Sequence, residues 1–202
     1  MSAQRRHAIK AATPLTTDAG VIAPNALLGQ ALVAQLRVTL QAMADFDTAL
    51  AQRAQSHPDF PLFQALPSAG PVVAPRLLVA FGEQRASYAS AAELHKYAGI
   101  APVTERSGKK SWGHWRLQCP KFLRQTFVEW AAESIRHAVW AQLSYQQQRA
   151  KGKAHQAAVQ ALAFTWLRIL SRGWQDRTPY DESVYLQALN QRGSSLMPNF
   201  AG

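Results

Sequence analysis

The stretch from Asn25 to about Gln55 constrains this chain more than any other. Apolar residues recur there with a heptad spacing: Gly29, Leu36, Met43 and Leu50 share one position, and Leu32, Thr39 and Phe46 the other. Gln30, Gln35, Arg37, Gln41 and Asp45 fall between them, which predicts a helix with one polar and one apolar side. About 30 residues at about 1.5 Å each make a rod of about 45 Å. A small domain cannot cover that length, so the apolar side calls for a partner helix, from a second copy or from the chain's own downstream helices. Gly29 and Thr39 break the pattern, which leaves open both a coiled coil and an ordinary amphipathic helix packed in the monomer.

Charge adds the second constraint. Lys and Arg number 22 against 12 acids, a net of +10. Residues 96–177 hold 14 of the basic residues against 4 acids, while 1–95 and 178–202 nearly balance. All six tryptophans (Trp112, Trp115, Trp130, Trp140, Trp166 and Trp174) fall in the same basic segment. Cations interleaved with flat aromatics suit phosphate neutralisation and base stacking, so nucleic acid leads as partner. The competing reading is a solvated basic face over a Trp-rich core, which Trp130 and Trp140 favour because they sit inside apolar helical patterns. A single cysteine, Cys119, excludes an internal disulfide framework and cysteine-based zinc sites. No apolar run of eighteen residues is evident, and no apolar stretch follows Arg5, Arg6 and Lys10, so the chain reads as soluble and cytoplasmic, with no membrane partner.

Residues 1–24, with Thr-Pro, Thr-Thr-Asp-Ala-Gly and Ala-Pro, show no sustained period and read as an extended arm. After the long helix, assigned to 25–56, Ser56-His57-Pro58-Asp59 is a break. Short helices are expected over about 59–65 and from Val72 to a stop at Gly82, joined through Leu66-Pro67-Ser68-Ala69-Gly70-Pro71; a third follows over about 90–97. A Gly-containing turn between helices can offer backbone N–H groups to a phosphate, which makes Ser68 and Gly70 candidates. Val103 to Leu117 alternates like two strands around a turn at Ser107-Gly108-Lys109-Lys110. Helices are then expected from Phe122 to about Tyr145, from His155 to Ser171, and from Asp181 to Asn190, with a flexible tail over 191–202.

Metal-assisted phosphoryl transfer needs several carboxylates converging on divalent ions, and the twelve acids here lie mostly on helix faces or in turns. The six histidines are scattered. What remains is Glu105-Arg106-Ser107-Gly108-Lys109-Lys110. A hydroxyl at a tight turn flanked by three cations could attack a phosphodiester, because the cations stabilise charge on the non-bridging oxygens. The plainer reading is a common Ser-Gly turn whose lysines only bind phosphate.

Several of these pieces together resemble a known family. Leu66-Pro67-Ser68-Ala69-Gly70-Pro71, Phe81-Gly82, Tyr97-Ala98-Gly99-Ile100-Ala101-Pro102, Ser107-Gly108-Lys109, Lys121-Phe122-Leu123-Arg124 and Thr178-Pro179-Tyr180-Asp181 are similar, in this order, to the C-terminal half of the IS-one-ten insertion-sequence transposases, relatives of the Piv/MooV invertases. The resemblance covers about residues 58–185. It implies a helical transposase domain in which Ser107 is the nucleophile that attaches to DNA. It also implies a RuvC-like acidic domain that holds magnesium, and a structured bridge RNA that pairs with the DNA. This sequence carries no counterpart of that acidic domain, so the chain is expected to be a split or truncated transposase that needs no metal of its own. Two departures stand out: Ser68 replaces the first Gly of a turn that often reads Pro-Gly-Ile/Val-Gly-Pro, and Trp112-Gly113-His114-Trp115-Arg116 adds bulk to a stretch that is often Gly-rich.

The fold expected is therefore mainly α, with a long N-terminal helix, a helical hairpin, a transposase domain over 57–190 and a small two-stranded β element. DNA, a structured RNA and a second copy of the chain are the expected partners. Arg106, Lys109, Lys110, Arg116, Lys121 and Arg124 are the expected phosphate contacts and Ser107 the expected catalytic residue. The alternative is a nucleic-acid-binding and oligomerisation module with no chemistry.

Overall fold

The computed structural model describes residues 3–13, 15–114, 116–194 and 196. Two units divide the chain, residues 1–48 and 49–202. The first unit holds α1 (Ala3–Lys10) and most of α2 (Ala19–Gln55). The arm expected over 1–24 thus contains one helix and the start of another. Asp18 explains the second: its side chain accepts from the Gly20 N–H at 2.8 Å and its carbonyl from Val21 and Ile22 N–H, which caps a helix start six residues ahead of Pro24. Pro24 is the sixth residue of α2, past the first turn, and α2 runs through it without the bond that an N–H there would make to the Gly20 carbonyl.

The large apolar residues of α2 are open. Leu32, Leu36, Met43, Phe46 and Leu50 are all exposed, Phe46 to 70%. One 18-residue window of this helix has mean hydropathy 1.3 with none of it buried, so by length and composition α2 could cross a membrane. The reading that no eighteen-residue apolar run is present is corrected here, by length and composition alone. Isolated amides such as Asn25, Gln30 and Gln35 interrupt an apolar run but bring no charge, and charge is what removes a helix from that class.

The second unit is built on α8 (His155–Asp176), against which α5 (Ala91–Tyr97), α6 (Lys121–Ser134) and α7 (Val139–Ala150) all pack. α4 (Val73–Phe81) packs on α6 and on α3 (Phe60–Gln64), and its Phe81 ring meets Trp174 of α8; α9 (Glu182–Gln191) follows, with Tyr185 against Trp140 of α7. A two-stranded antiparallel sheet, β1 (Val103–Ser107) and β2 (Lys110–His114), leaves the helices between α5 and α6. The tail expected over 191–202 falls partly in the last turn of α9, and residues 195 and 197–202 lie outside the described residues.

Four tryptophans make the core. Trp130, Trp140, Trp166 and Trp174 are each at most 1% exposed. Trp166 stands between Trp130 and Trp140, with both ring centroids 4.6 Å away, and Tyr180 meets it edge-on at 5.0 Å. Buried indoles need partners for their N–H groups. Trp130 donates to the Pro67 carbonyl, Trp140 to the Tyr180 hydroxyl and Trp166 to Ser134 Oγ, all within 2.8 Å. Burial raises the Tyr180 phenol well above its ordinary value, so it stays protonated.

This cluster also corrects a helix boundary. The pattern predicts one helix from Phe122 to Tyr145, but the chain turns between Ser134 and Val139, with Ala138 extended. Ser134 Oγ donates to the Ala131 carbonyl and accepts from Trp166, and Glu182 takes the freed Val139 N–H at 2.7 Å. The turn lets Trp140 reach Trp166 from a new direction, a tertiary contact that overrides local periodicity. Nor does α8 stop at Ser171: it continues through Gly173 to Asp176, and Arg177 then takes a left-handed φ of 54°. The Thr178 N–H returns to the Gly173 carbonyl at 2.8 Å, a six-to-one closure that ends the helix.

Candidate nucleic-acid interface

Local sequence fixes the hairpin. Pro102 ends the previous turn, residues of β-compatible type follow, and Gly108 supplies a φ of 58° at the first position of a two-residue loop, where an L side chain is strained. The register pairs Ser107 with Lys110, Arg106 with Ser111, Glu105 with Trp112, Thr104 with Gly113 and Val103 with His114. Directly opposed residues share a face and successive residues alternate. One face therefore carries Ser107, Lys110, Glu105, Trp112, Val103 and His114, and the other Arg106, Ser111, Thr104 and Gly113.

This sorts the three cations expected around Ser107. Lys110 stands directly across from it and Lys109 sits in the loop beside it, whereas Arg106 points to the opposite face. A strand repeats every two residues, so neighbours in sequence are separated by the sheet. On the Ser107 face a His114 ring nitrogen lies 3.4 Å from a Glu105 carboxylate oxygen. Both strands are open to solvent apart from half-buried Val103.

The other basic candidates lie toward the base of the hairpin and beyond it. Arg124 is half-buried on α6 and donates to the Arg116 carbonyl at 3.0 Å, which ties the chain leaving β2 to the helix after it. Arg116 is also partly buried, and Lys121 is exposed at the first position of α6. Val103 and Ser107 are about 14 Å apart at about 3.4 Å per residue. Arg116 follows β2 at the Val103 end, so it and its partner Arg124 stand at the opposite end of the hairpin from Ser107.

In the α3–α4 connection, Ser68 takes a left-handed φ of 62° and its hydroxyl donates to the Glu133 carbonyl at 3.2 Å. A glycine-like conformation is thus held by a side-chain bond. Gly70 has no positive φ, and a Cβ there would meet nothing within 4 Å. Ser68→Gly removes strain of about 1–2 kcal/mol and a hydrogen bond of about 0.5–1.5 kcal/mol, so its net effect on stability is near zero. Ser68→Ala loses the bond and keeps the strain, and is expected to cost about 1 kcal/mol. Urea unfolding of the two variants checks the order.

Other shared motifs have physical roles in the same unit. Gly99, at φ 68°, lets the chain pass Cys119: a Cβ there would lie 2.3 Å from the sulfur. Asp181 caps α9 by accepting from the Ser183 hydroxyl and from the Ser183 and Val184 N–H groups, which holds its carboxyl below the usual range. Asp59 and Arg85 pair at 2.6 Å, while the Arg85 guanidinium also donates to the Trp174 carbonyl and covers its ring. Among the described residues no three His, Cys, Asp or Glu side chains come together.

Trp112, His114 and Glu105 appear in the sequence reading only as members of longer runs, with no relation to Ser107 assigned to them. Only the register shows that they share a face with Ser107; the signal available beforehand was the period of two.

Residues 61–146 match the family described as Transposase IS116/IS110/IS902 family. The chain is 30% identical over 152 residues to the mini-circle putative transposase for IS117 of Streptomyces coelicolor, covering 75% of this chain and 37% of that protein. It is also 30% identical over 168 residues to the uncharacterized 42 kDa protein of insertion element IS900 of Mycobacterium paratuberculosis, covering 79% of this chain and 41% of that protein. The uncharacterized 43.6 kDa protein of insertion element IS110 of Streptomyces coelicolor is 30% identical over 131 residues, 64% of this chain and 32% of that protein. The chain thus spans about two fifths or less of the length of the curated relatives it matches. The match runs from α3 to within α7, across the Ser68 turn, the Gly99–Cys119 contact and the Ser107 hairpin, and over these residues the chain is similar to the Transposase IS116/IS110/IS902 family.

Proposed function

We propose that this chain provides the DNA-binding and strand-transfer surface of an insertion-sequence transposase, with Ser107 as the nucleophile. The observation that carries the reading is the setting of Ser107: it is exposed at a strand end, beside a two-residue loop, with Lys110 directly opposite. In the reaction the Ser107 oxygen forms a bond to the scissile phosphorus, the deoxyribose oxygen of the departing strand leaves and takes up a proton, and the serine proton passes to solvent. Lys110 and Lys109 offset charge on the non-bridging oxygens. Arg106, Arg116, Lys121 and Arg124 hold neighbouring phosphates, and the net charge of the 96–177 segment supports a structured RNA as a further partner. Magnesium chemistry, where the resemblance implies it, belongs to carboxylates that the described residues do not bring together. The Ser68–Gly70 turn is a further phosphate contact in this reading.

The test is a reconstituted reaction with the element's DNA and RNA and a partner that supplies the acidic domain. Ser107→Ala is expected to lose strand joining by at least about a thousandfold while DNA binding stays within about twofold, since removing a nucleophile leaves the binding surface intact. Joining at the wild-type rate would remove Ser107 from the mechanism. A second reading, a non-catalytic module that binds nucleic acid and pairs chains through α2, is favoured by the open apolar residues of that helix. It requires that Ser107→Ala change nothing and that α2 variants such as Leu36→Asp lower the oligomeric state.

A further inference from the structure

The core accounts for Trp130, Trp140, Trp166 and Trp174 and leaves one described tryptophan outside it. Trp112 is 47% exposed, on a strand whose every residue is exposed. An indole left in water forgoes stabilisation that burial would supply, and a lone two-stranded hairpin is marginal by itself, so packing does not explain its place. The register puts Trp112 opposite Glu105, on the face that carries Ser107 and Lys110. Along β2 it follows Lys110 by two residues, about 7 Å toward the base of the hairpin. One face thus offers, in line, a hydroxyl with a cation across from it and then a flat aromatic ring.

We propose that Trp112 is a stacking platform for an unpaired DNA base next to the phosphate that faces Ser107. The inference rests on the reading of Ser107 given above and adds the state of the strand that reaches it: single-stranded or locally unpaired. Bases in an intact duplex keep their faces stacked on each other, so an indole can take one only where the strand is open. Lys109 and Lys110 draw the backbone along this face, and the ring then fixes which nucleotide stands before the hydroxyl. A protein partner fits less well. A single ring between Lys110 and the Glu105–His114 pair is no contiguous apolar patch.

The test uses the full chain carrying Ser107→Ala, so that no chemistry intervenes, with Trp112→Ala and Trp112→Phe added in turn. The probes are a single-stranded oligonucleotide bearing one 2-aminopurine, the same sequence as a blunt duplex, and the matching RNA strand. Trp112→Ala is expected to weaken single-strand DNA binding by about tenfold or more and to reduce the quenching of 2-aminopurine, with Trp112→Phe retaining most of both. Duplex affinity and the urea midpoint should not move, since the side chain is outside the core. Equal losses on single strand and duplex, no loss on either, or a loss confined to RNA would each overturn the proposal. The outcome is independent of whether Ser107 reacts: selective loss at Trp112 with full joining by the single Ser107→Ala variant would sink the nucleophile and leave the platform standing.

Discussion

Trp166→Ala is expected to cost about 3–5 kcal/mol, a large share of the stability of a domain this size. Trp166 has no exposed surface and touches Trp130, Trp140 and Tyr180 at once, and its N–H is held by Ser134. Truncation would open a cavity among three rigid rings on three different elements, α6, α7 and the segment before α9, which have no small motion that fills it. It would also loosen the Ser134 turn, because the hydroxyl that shapes the break between α6 and α7 would lose its second partner. Urea unfolding followed by circular dichroism measures the loss. A cost below about 1 kcal/mol would mean that the aromatic stack does not organise the core. The contrast with Trp112→Ala, expected to be neutral for stability, separates the two jobs that tryptophan does in this basic segment.

Gly99→Ala comes next in size. Two independent penalties add at this position. The φ of 68° disfavours any L side chain, and the new methyl would lie 2.3 Å from the Cys119 sulfur and 2.8 Å from its Cβ. Together they are expected to cost about 2–4 kcal/mol. Cys119→Ala in the same chain removes the sulfur but not the Cβ or the φ, so it should recover only part of the loss. Full recovery would show that the backbone conformation carries no strain; no loss in the single variant would show that Gly99 and Cys119 do not meet. Because Gly99 precedes β1 and Cys119 follows β2, this contact closes the base of the hairpin. If the hairpin binds DNA as proposed, Gly99→Ala should also weaken that binding, through the base of the hairpin.

Much of the helical layout was legible because its signals are local. The stops at Gly82, Gly99 and Gly152 each take a positive φ, Ser90 and Asp181 cap the helices that follow them, and the Ser107–Lys110 turn closes two strands where alternation suggested. What escaped was set at long range or hidden by a stronger local cue. The break after Ser134 has no Gly or Pro and depends on Trp166, 32 residues away. At the other end of the chain, Pro24 looked like a boundary, and Asp18 was the true cap. For the site, spacing brought Ser107, Arg106, Lys109 and Lys110 into one short stretch. It could not separate Arg106 from the others, because pairing register is a relation between two strands. The same relation puts Trp112 beside them.

The central claim is that Ser107 forms a bond to DNA. Its most direct measurement is to stop the reconstituted reaction with denaturant, digest the protein and locate by mass spectrometry the peptide that retains nucleotide. The account predicts one adduct, on the peptide that contains Ser107, absent from Ser107→Ala and present, though less abundant, in Lys110→Ala. An adduct on another residue, or efficient joining with no protein-linked DNA at any time, would contradict it.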